Sequence, residues 1–210
     1  MNSVMTRLRE PTLSTSSDTL YANVVSEVLN SVKTEIEQSW SWLNLRDTYN
    51  VTVVPGTTSY SLTGSGQYAQ VLDVWNTTTF RQVRRSNYKD FNQKFFGVQS
   101  LQTGDVTEYL PVGIDSNYDL QLDTWPNVVS TNSLKVNIYA PQADPTSDDT
   151  VLIVPAQILI EGMIAYLLTE RGDDNGTAAQ AQQQYYRALL AGAVATEGGH
   201  DPTEQDWQPK

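Results

Sequence analysis

The spacing of apolar residues changes between residues 20 and 64, from a helical period to a strand period. Up to about residue 42 an apolar residue recurs at every fourth position, which predicts one stripe of an amphipathic helix. The members of this stripe are Leu20, Val24, Val28, Val32, Ile36 and Trp40. The segments NVTVV and SYSL then alternate with period two on either side of PGTT. This arrangement predicts a β-hairpin directly after the helix.

More strand-like segments fill the middle of the chain. QVLDVW and FRQVR flank the turn NTTT, and VTEYLPVGI, DLQLDTW and LKVNIYA follow, separated by residues that are typical of turns. Between these groups, SNYKDFNQKFF has the pattern of a short helix capped by Ser86. Short strands at this spacing predict an antiparallel β unit, either a sandwich or barrel-like, over residues 46–150.

Two further helices are expected after the β unit. Residues 151–168 are the most apolar stretch, but they include Gln157 and Glu161 and are too short for a comfortable bilayer span. They therefore predict a central, buried helix with Pro155 in its first turn. An Ala-rich helix is expected from about residue 177 to 195, with Tyr185 on its apolar side.

This order of elements predicts an α+β fold, in which the N- and C-terminal helices form a small bundle and the antiparallel β unit is inserted between them. The bundle takes residues 17–45 and 151–196. Residues 1–16 are expected to form a flexible arm, or one that becomes ordered on a partner. Residues 197–210 are rich in Gly, Pro and acidic residues and are expected to be an extended tail.

Trp40 and Trp42 lie at the expected joint between helix and sheet. Two interpretations fit this position and are compatible. The two side chains either wedge the bundle against the sheet and limit relative motion, or they are core aromatics that close the end of the helix.

Composition excludes several kinds of active site. The chain has no Cys, so thiolate metal sites and Cys nucleophiles are excluded. Its one His, His200, is too few for an active site or a zinc site built on several histidines. No metal and no cofactor are expected, and we expect no enzymatic activity. Paired carboxylates such as Asp148 and Asp149 are the remaining option for acid–base catalysis, in a hydrolase of unknown class. Their position in a turn beside a helix favours a solvated or capping role instead.

A basic cluster stands out in a chain whose formal net charge is -11. It consists of Arg81, Arg84, Arg85 and Lys89. These side chains either pair with an acidic surface of an identical copy, as in a head-to-tail ring, or are solvated charges that protect a strand edge from wrong pairing.

The C-terminal tail carries a large apolar side chain, Trp207, with nothing local to pack against. A docking segment uses such a residue as its anchor, whereas an untethered end does not need one. We therefore expect a docking tail that includes His200, Asp201, Glu204 and Trp207.

Taken in order, these segments resemble the head-to-tail adaptor (connector) proteins of tailed bacteriophages, especially those with short tails. The resemblance spans most of the chain. It rests on EIEQSWSWLNL followed at once by VTVVPGTTSYSL, on QVLDVWNTTTFRQVRR, on TEYLPVGIDSNYDLQLDTWP, and on LKVNIYAPQADPTSDDTVLIVPAQILIEGMIAYLLTERGDD.

The resemblance implies a virion structural protein at the portal vertex, between capsid and tail. It implies a ring of identical subunits, with twelve as the expected number, docked beneath the portal protein. Such a ring lengthens the DNA channel and presents a platform to a tail or nozzle protein. DNA would pass through without specific binding, because an acidic lining does not form the contacts that release counterions. No membrane is implied.

A carbohydrate-binding β module of a phage tail or secreted protein is the alternative. It would use Trp75 and Trp125 as exposed stacking platforms and would be a monomer that binds glycans. The adaptor interpretation predicts instead a ring, or a monomer that assembles only with the portal.

Overall fold

The structure, a computed structural model, describes residues 2–11, 20–97, 102–145, 150–172 and 176–199. The chain forms two compact units. The helical unit is drawn from Met1–Asn44 and Gln142–Lys210, and the β unit is Leu45–Pro141. The β unit is thus inserted, in sequence, between the two parts of the helical unit.

The helices and strands of the described residues have the following bounds. In chain order they are α1 (Asn2–Arg7), α2 (Leu20–Ser39), a 3-10 turn (Leu43–Leu45), β1 (Arg46–Val53), β2 (Ser59–Ser61), β3 (Gln70–Asn76), β4 (Arg81–Gln82), β5 (Arg84–Arg85), α3 (Tyr88–Phe96), β6 (Glu108–Ile114), β7 (Leu120–Trp125), β8 (Asn132–Tyr139), α4 (Ala156–Arg171) and α5 (Thr177–Gly198).

Helix α4 is the centre of the helical unit, as predicted from its apolar sequence. It packs against α2 and α5 and also contacts α1. Its buried residues are Ile158, Leu159, Glu161, Gly162, Met163, Ile164, Ala165 and Leu167. Gly172 ends the helix in the left-handed conformation, with φ 65°, which glycine adopts without steric cost.

The buried face of α2 differs from the predicted stripe. Leu20, the first member of that stripe, is 87% exposed. Because consecutive residues of a helix are about 100° apart, a step of four residues advances about 40° each time and drifts around the helix. The true buried face follows the 3.6-residue period and consists of Ala22, Val25, Leu29, Val32, Lys33, Ile36 and Glu37.

The flexible arm expected for residues 1–16 is wrong for its described part, residues 2–11. Helix α1 buries Val4 and Met5 completely, and burial of two such side chains stabilises the docked segment. The remainder of the predicted arm lies outside the described residues.

The extended tail expected from residue 197 is wrong at its start, because α5 continues to Gly198, and the tail from residue 200 onward lies outside the described residues. The Glu197 Oε1 atom accepts a hydrogen bond of 2.9 Å from the backbone N–H of Leu43. On this helix Tyr186 is the buried tyrosine, whereas Tyr185, which the sequence placed on the apolar side, is exposed.

The described part of the β unit contains two four-stranded sheets. The first has the order β1-β8-β3-β4 and is antiparallel, and the second has the order β2-β7-β6-β5, in which β5 and β6 are parallel. One cluster of buried side chains draws on strands of both sheets, so the two sheets face each other across a shared core. The predicted α+β class is confirmed, and the two sheets of the described residues do not close into a barrel.

The hairpin predicted from NVTVV and SYSL is wrong. Strand β1 pairs with β8 in the first sheet, and β2 pairs with β7 in the second, so PGTT moves the chain from one sheet to the other. The Tyr60 hydroxyl fastens this crossing, since it donates to the carbonyl of Thr57 at 2.7 Å and accepts from the N–H of Val54 at 3.0 Å. An alternation of apolar residues with period two predicts which side chains face a core, but it does not identify the partner strand.

The hairpin predicted from QVLDVW and FRQVR is confirmed as the pair β3–β4. The short helix after it is also present as α3. Its N-cap is Asn87 rather than Ser86, because the Asn87 side chain accepts a hydrogen bond from the N–H of Asp90 at 2.8 Å.

Candidate interaction surfaces

The basic cluster lies where the chain leaves one sheet for the other. Strand β4 is the edge of the first sheet and β5 the edge of the second, with the buried Val83 between them. We call the four cationic side chains of this region the basic edge: Arg81 on β4, Arg84 and Arg85 on β5, and Lys89 on α3. All four cations are exposed, whereas Val83 is buried in the core.

Charges of the basic edge are poorly compensated within the described residues. Arg84 Nη2 lies 3.8 Å from Glu108 Oε1, at the long limit of an ion pair. Glu108 is already bound by Lys94, whose Nζ donates to both carboxylate oxygens at 2.6 Å. Arg81, Arg85 and Lys89 form no salt bridge with any residue in the described ranges. The edge therefore presents net positive charge outward.

Trp125 is covered rather than open. The Nζ atom of Lys94 lies 4.8 Å from the centroid of the Trp125 ring, as a cation–π contact, while it holds Glu108. Helix α3 thus places its last-turn lysine over one face of this tryptophan. The ring face of Trp125 that Lys94 covers is therefore not open for stacking by a glycan.

Trp75 is the more open of the two tryptophans, with 41% of its surface exposed. It stands on the first sheet opposite Lys135 of β8. Polar side chains surround it on this sheet, including Asn137, which accepts from the Thr48 hydroxyl at 2.7 Å and donates to Asp73. One exposed tryptophan, without its expected counterpart, gives weak support to carbohydrate binding.

Trp40 and Trp42 both contact residues of the helical unit. Trp42 is buried, and its Nε1–H donates to the carbonyl of Ile36 at 2.8 Å, which satisfies a backbone acceptor at the end of α2. Trp40 packs beside Gly198, where an added Cβ would lie 3.4 Å from the Trp40 ring. These contacts close the end of α2 against α5.

A buried ion pair on α2 was not expected from the sequence. Lys33 and Glu37 are almost completely buried, and Lys33 Nζ donates to Glu37 Oε2 at 3.1 Å and to the carbonyl of Gln142 at 2.5 Å. The N–H of Gln142 donates to Glu37 Oε1 at 3.1 Å, and Asp144 lies 3.3 Å from the Lys33 ammonium. Burial raises the pKa of Glu37, and the attraction of Lys33 opposes this rise.

Glu161 connects three helices of the same unit. Its carboxylate accepts from Arg7 of α1 at 2.5 Å and from the side chain of Gln182 of α5 at 2.6 Å. The hydrogen bond to Glu161 raises the pKa of Arg7. Arg171, at the end of α4, donates to Glu10 at 2.5 Å and to the Tyr21 hydroxyl at 3.0 Å. These contacts hold residues 2–11 onto α4.

The spacing of Lys33 and Glu37 contained a usable signal. Residues four apart lie on the same face of a helix, so the two opposite charges were adjacent by sequence alone. Their burial had no such signal, because charged residues are rarely placed in a core and the partner Gln142 is distant in sequence.

Several predicted site residues lie outside the described residues. They are the tail residues His200, Asp201, Glu204 and Trp207 and the carboxylates Asp148 and Asp149. Among the residues that the structure does describe, no group of three or more His, Asp or Glu side chains could hold a metal ion. No helix in the described ranges is long and apolar enough to cross a membrane.

Comparison with known protein families gives a match over nearly the whole chain. The family model described as SU10 adaptor protein matches residues 1–206, which is nearly the whole chain. No curated protein matches the sequence.

Proposed function

The chain belongs to the SU10 adaptor protein family, a family of phage head-to-tail adaptors, and from this membership we propose that it forms a ring beneath the portal protein. Membership in this family makes the chain a structural protein of the virion, at the junction of head and tail. The proposal adds that twelve identical subunits close the ring, that the ring extends the DNA channel, and that it carries the platform for a tail or nozzle protein.

The family match over residues 1–206 carries the proposal. The match includes both the helical and the β unit, so the whole described chain corresponds to the adaptor rather than one module of it. On this proposal the chain is a conduit and has no catalytic role.

The charge distribution supports a ring of identical copies. A closed ring needs two different patches on each subunit, one complementary to the other. The basic edge supplies a positive patch, and the net charge of -11 leaves ample acidic surface on the neighbouring copy. In this proposal Arg81, Arg84, Arg85 and Lys89 face an acidic surface of the next subunit.

The same net charge supports passage of DNA without binding. Binding a phosphate backbone requires Lys and Arg side chains that release counterions, and the chain has 13 of these against 24 acidic residues. DNA in the channel of such a ring meets mostly like charge, which favours sliding over adhesion.

Two sequence predictions become part of this proposal. The tail, with His200, Asp201, Glu204 and Trp207, docks onto the portal protein and uses Trp207 as its anchor. Trp40 and Trp42 stiffen the helical unit at the end of α2, through their contacts with Ile36 and Gly198.

Electron microscopy of negatively stained protein, alone and mixed with candidate portal rings, tests the proposed function. We expect rings of the chain, or portal rings that gain an added layer of identical subunits, and averaged end views give the copy number. A chain that stays monomeric with every candidate portal ring would refute the proposal. Binding of glycans by that monomer, measured on a glycan array, would favour the carbohydrate-binding alternative.

A further inference from the structure

An exposed phenylalanine occupies a strained position at the tip of the β3–β4 hairpin. Phe80 has φ 55°, in the left-handed region where Gly and Asn are common and a bulky side chain is an outlier. Its surface is 86% exposed, so no packing within the subunit accounts for an aromatic residue at this place. Both the conformation and the exposure cost free energy in an isolated subunit.

Buried amides hold this tip in one conformation. The Asn76 side chain, which is completely buried, accepts from the N–H groups of Thr78 and Thr79 at 3.0 and 3.2 Å. Its Nδ2 donates to Asn132 Oδ1 at 2.6 Å, and the N–H of Thr77 donates to the carbonyl of Ser133 at 2.8 Å. A tip fixed in this way is pre-organised, which lowers the entropy that docking would cost.

A second exposed aromatic residue stands at the tip of the β6–β7 hairpin. Tyr118 has φ 63° and is 64% exposed. Asp115 frames this turn, since its carboxylate accepts from the N–H groups of Asn117 at 2.8 Å and Asp119 at 3.0 Å. These hydrogen bonds, with that from Asp119 first, lower the pKa of Asp115 and keep it ionised. Exposed Ile114 adjoins the turn.

The two tips lie at opposite ends of the β unit. Strand β3 runs toward Phe80, and β4 and β5 return away from it. Strand β6 is parallel to β5, so it carries the chain to the turn of Tyr118 at the far end. The loop before β3 confirms this placement, because the N–H of Gly64 donates to Asp119 Oδ1 at 2.9 Å.

The charges beside the two tips are opposite. Arg81 follows Phe80 directly and belongs to the basic edge, although Asp105 also lies at this end, held by Asn132 at 3.2 Å. At the other end, residues 62–69 and 113–120 contain no Lys and no Arg and contain Asp115 and Asp119, although Arg46 also lies at this end, where β1 begins. The tip with Phe80 and Arg81 is therefore complementary to the tip with Tyr118 and the ionised carboxylate of Asp115.

We propose that Phe80 and Arg81 of one subunit dock against Tyr118 and Asp115 of the next copy of this chain, as the repeating contact of the ring. This inference rests on the proposed function and specifies its interface. The occupant is an identical copy because one subunit carries both complementary patches, at ends that cannot meet within it. Two distinct patches at opposite ends make a heterologous contact, which is the kind that closes into a ring.

Substitution of each tip by Asn separates docking from folding. Because Asn tolerates the left-handed conformation, Phe80→Asn and Tyr118→Asn should leave the midpoint of thermal unfolding of the monomer equal or higher. We expect the same variants to reduce the assembled fraction by roughly tenfold or more, measured by sedimentation with and without portal rings. Leu20→Asn removes an equally exposed apolar side chain, 87% exposed, and is the control that should assemble normally.

Engineered cysteines test which ends meet. The chain has no Cys, so a pair placed at Thr79 and Asn117, beside the two tips, has no background. Under oxidation, the double variant Thr79→Cys/Asn117→Cys should give a ladder of covalent oligomers on a denaturing gel. Each single variant should stay monomeric on that gel, and a mixture of the two should stop at dimers.

The outcomes distinguish this inference from the proposed function. Rings of the unchanged chain that form equally well from both Asn variants, or covalent dimers from a single cysteine variant, would overturn the tip-to-tip contact and leave the ring standing. Absence of any ring, alone or with portal, would overturn both. A large loss of monomer stability in Phe80→Asn would show that the aromatic side chain serves the fold instead.

Discussion

Gly162→Ala tests the packing of the helical unit most directly. Gly162 lies at the centre of α4, where α2 approaches from one side and α5 from the other. A Cβ added at this position would be 2.6 Å from Val32 Cγ1 and 2.8 Å from Tyr186 Cε2. Carbon atoms in ordinary contact are about 3.5–4.0 Å apart, so both neighbouring helices would have to move by roughly 1 Å.

The net effect follows from two opposing contributions. Replacing Gly by Ala within a helix gains about 1 kcal/mol from helix propensity. Overpacking a well-packed core costs about 1–3 kcal/mol, and a clash with two helices at once belongs at the upper end of that range. We therefore expect Gly162→Ala to lower the free energy of unfolding by about 2 kcal/mol, taking the difference of these two values.

Thermal unfolding followed by circular dichroism measures this effect. A loss of about 2 kcal/mol corresponds to a fall in Tm of roughly 4–8 °C for a chain of this size. Gly192→Ala on α5 is the matched control, because an added Cβ there meets no atom within 4 Å. That variant should gain up to about 1 kcal/mol from propensity alone and raise the Tm.

The sign of the difference between the two variants decides the outcome. Equal stabilisation by Gly162→Ala and Gly192→Ala would mean that α4 has free space at its centre. In that case the close approach of α2, α4 and α5 described above would be incorrect.

Three further predictions concern charge and the chain end. Reversal of Arg84 and Arg85 to Glu should impair ring assembly more at low than at high ionic strength, measured by sedimentation, since salt screens exposed charges; equal impairment at both would contradict an electrostatic interface. Deletion of residues 200–210 should weaken attachment to portal rings in a pull-down without changing the Tm, and undiminished attachment would contradict a docking tail. Because burial raises the pKa of Glu37 in the folded state, its contribution to stability is complete below its unfolded-state pKa and is lost as pH rises through the folded-state pKa. The difference in free energy of unfolding between the unchanged chain and Glu37→Gln, from denaturant titrations, should therefore decrease as pH rises above about 4.

The order of secondary structure could be predicted because apolar spacing reports local geometry directly. The apolar run in α4 was sufficient to place a buried helix, and the β3–β4 hairpin followed from two strands around NTTT. The same reasoning failed at PGTT, where β1 and β2 are neighbours in sequence but pair with β8 and β7. Pairing between strands distant in sequence depends on the shared core of the two sheets, which no local pattern encodes.

The backbone conformations of single residues also could not be predicted from the sequence. The segment around Phe80 predicts a turn from its threonines, but nothing in it indicates that a phenylalanine takes the left-handed position. That conformation depends on Asn76 and Asn132, which meet across strands of the first sheet. The basic edge, in contrast, was visible as four cations in an acidic chain, because side-chain charge can be read without a fold.

The polar contacts of the helical unit explain how its two sequence segments recognise each other. The unit is interrupted by the whole of the β unit, so α2 must find residues 142–145 and α4 after a long intervening chain. Lys33 and Glu37 form this contact through Gln142, which in turn binds the backbone of residues 151 and 153. Desolvation of both charges offsets much of their attraction, so such a pair adds little net stability. Its consequence is selectivity, because in any other register the buried pair would lose its hydrogen bonds to the backbone carbonyl and N–H of Gln142.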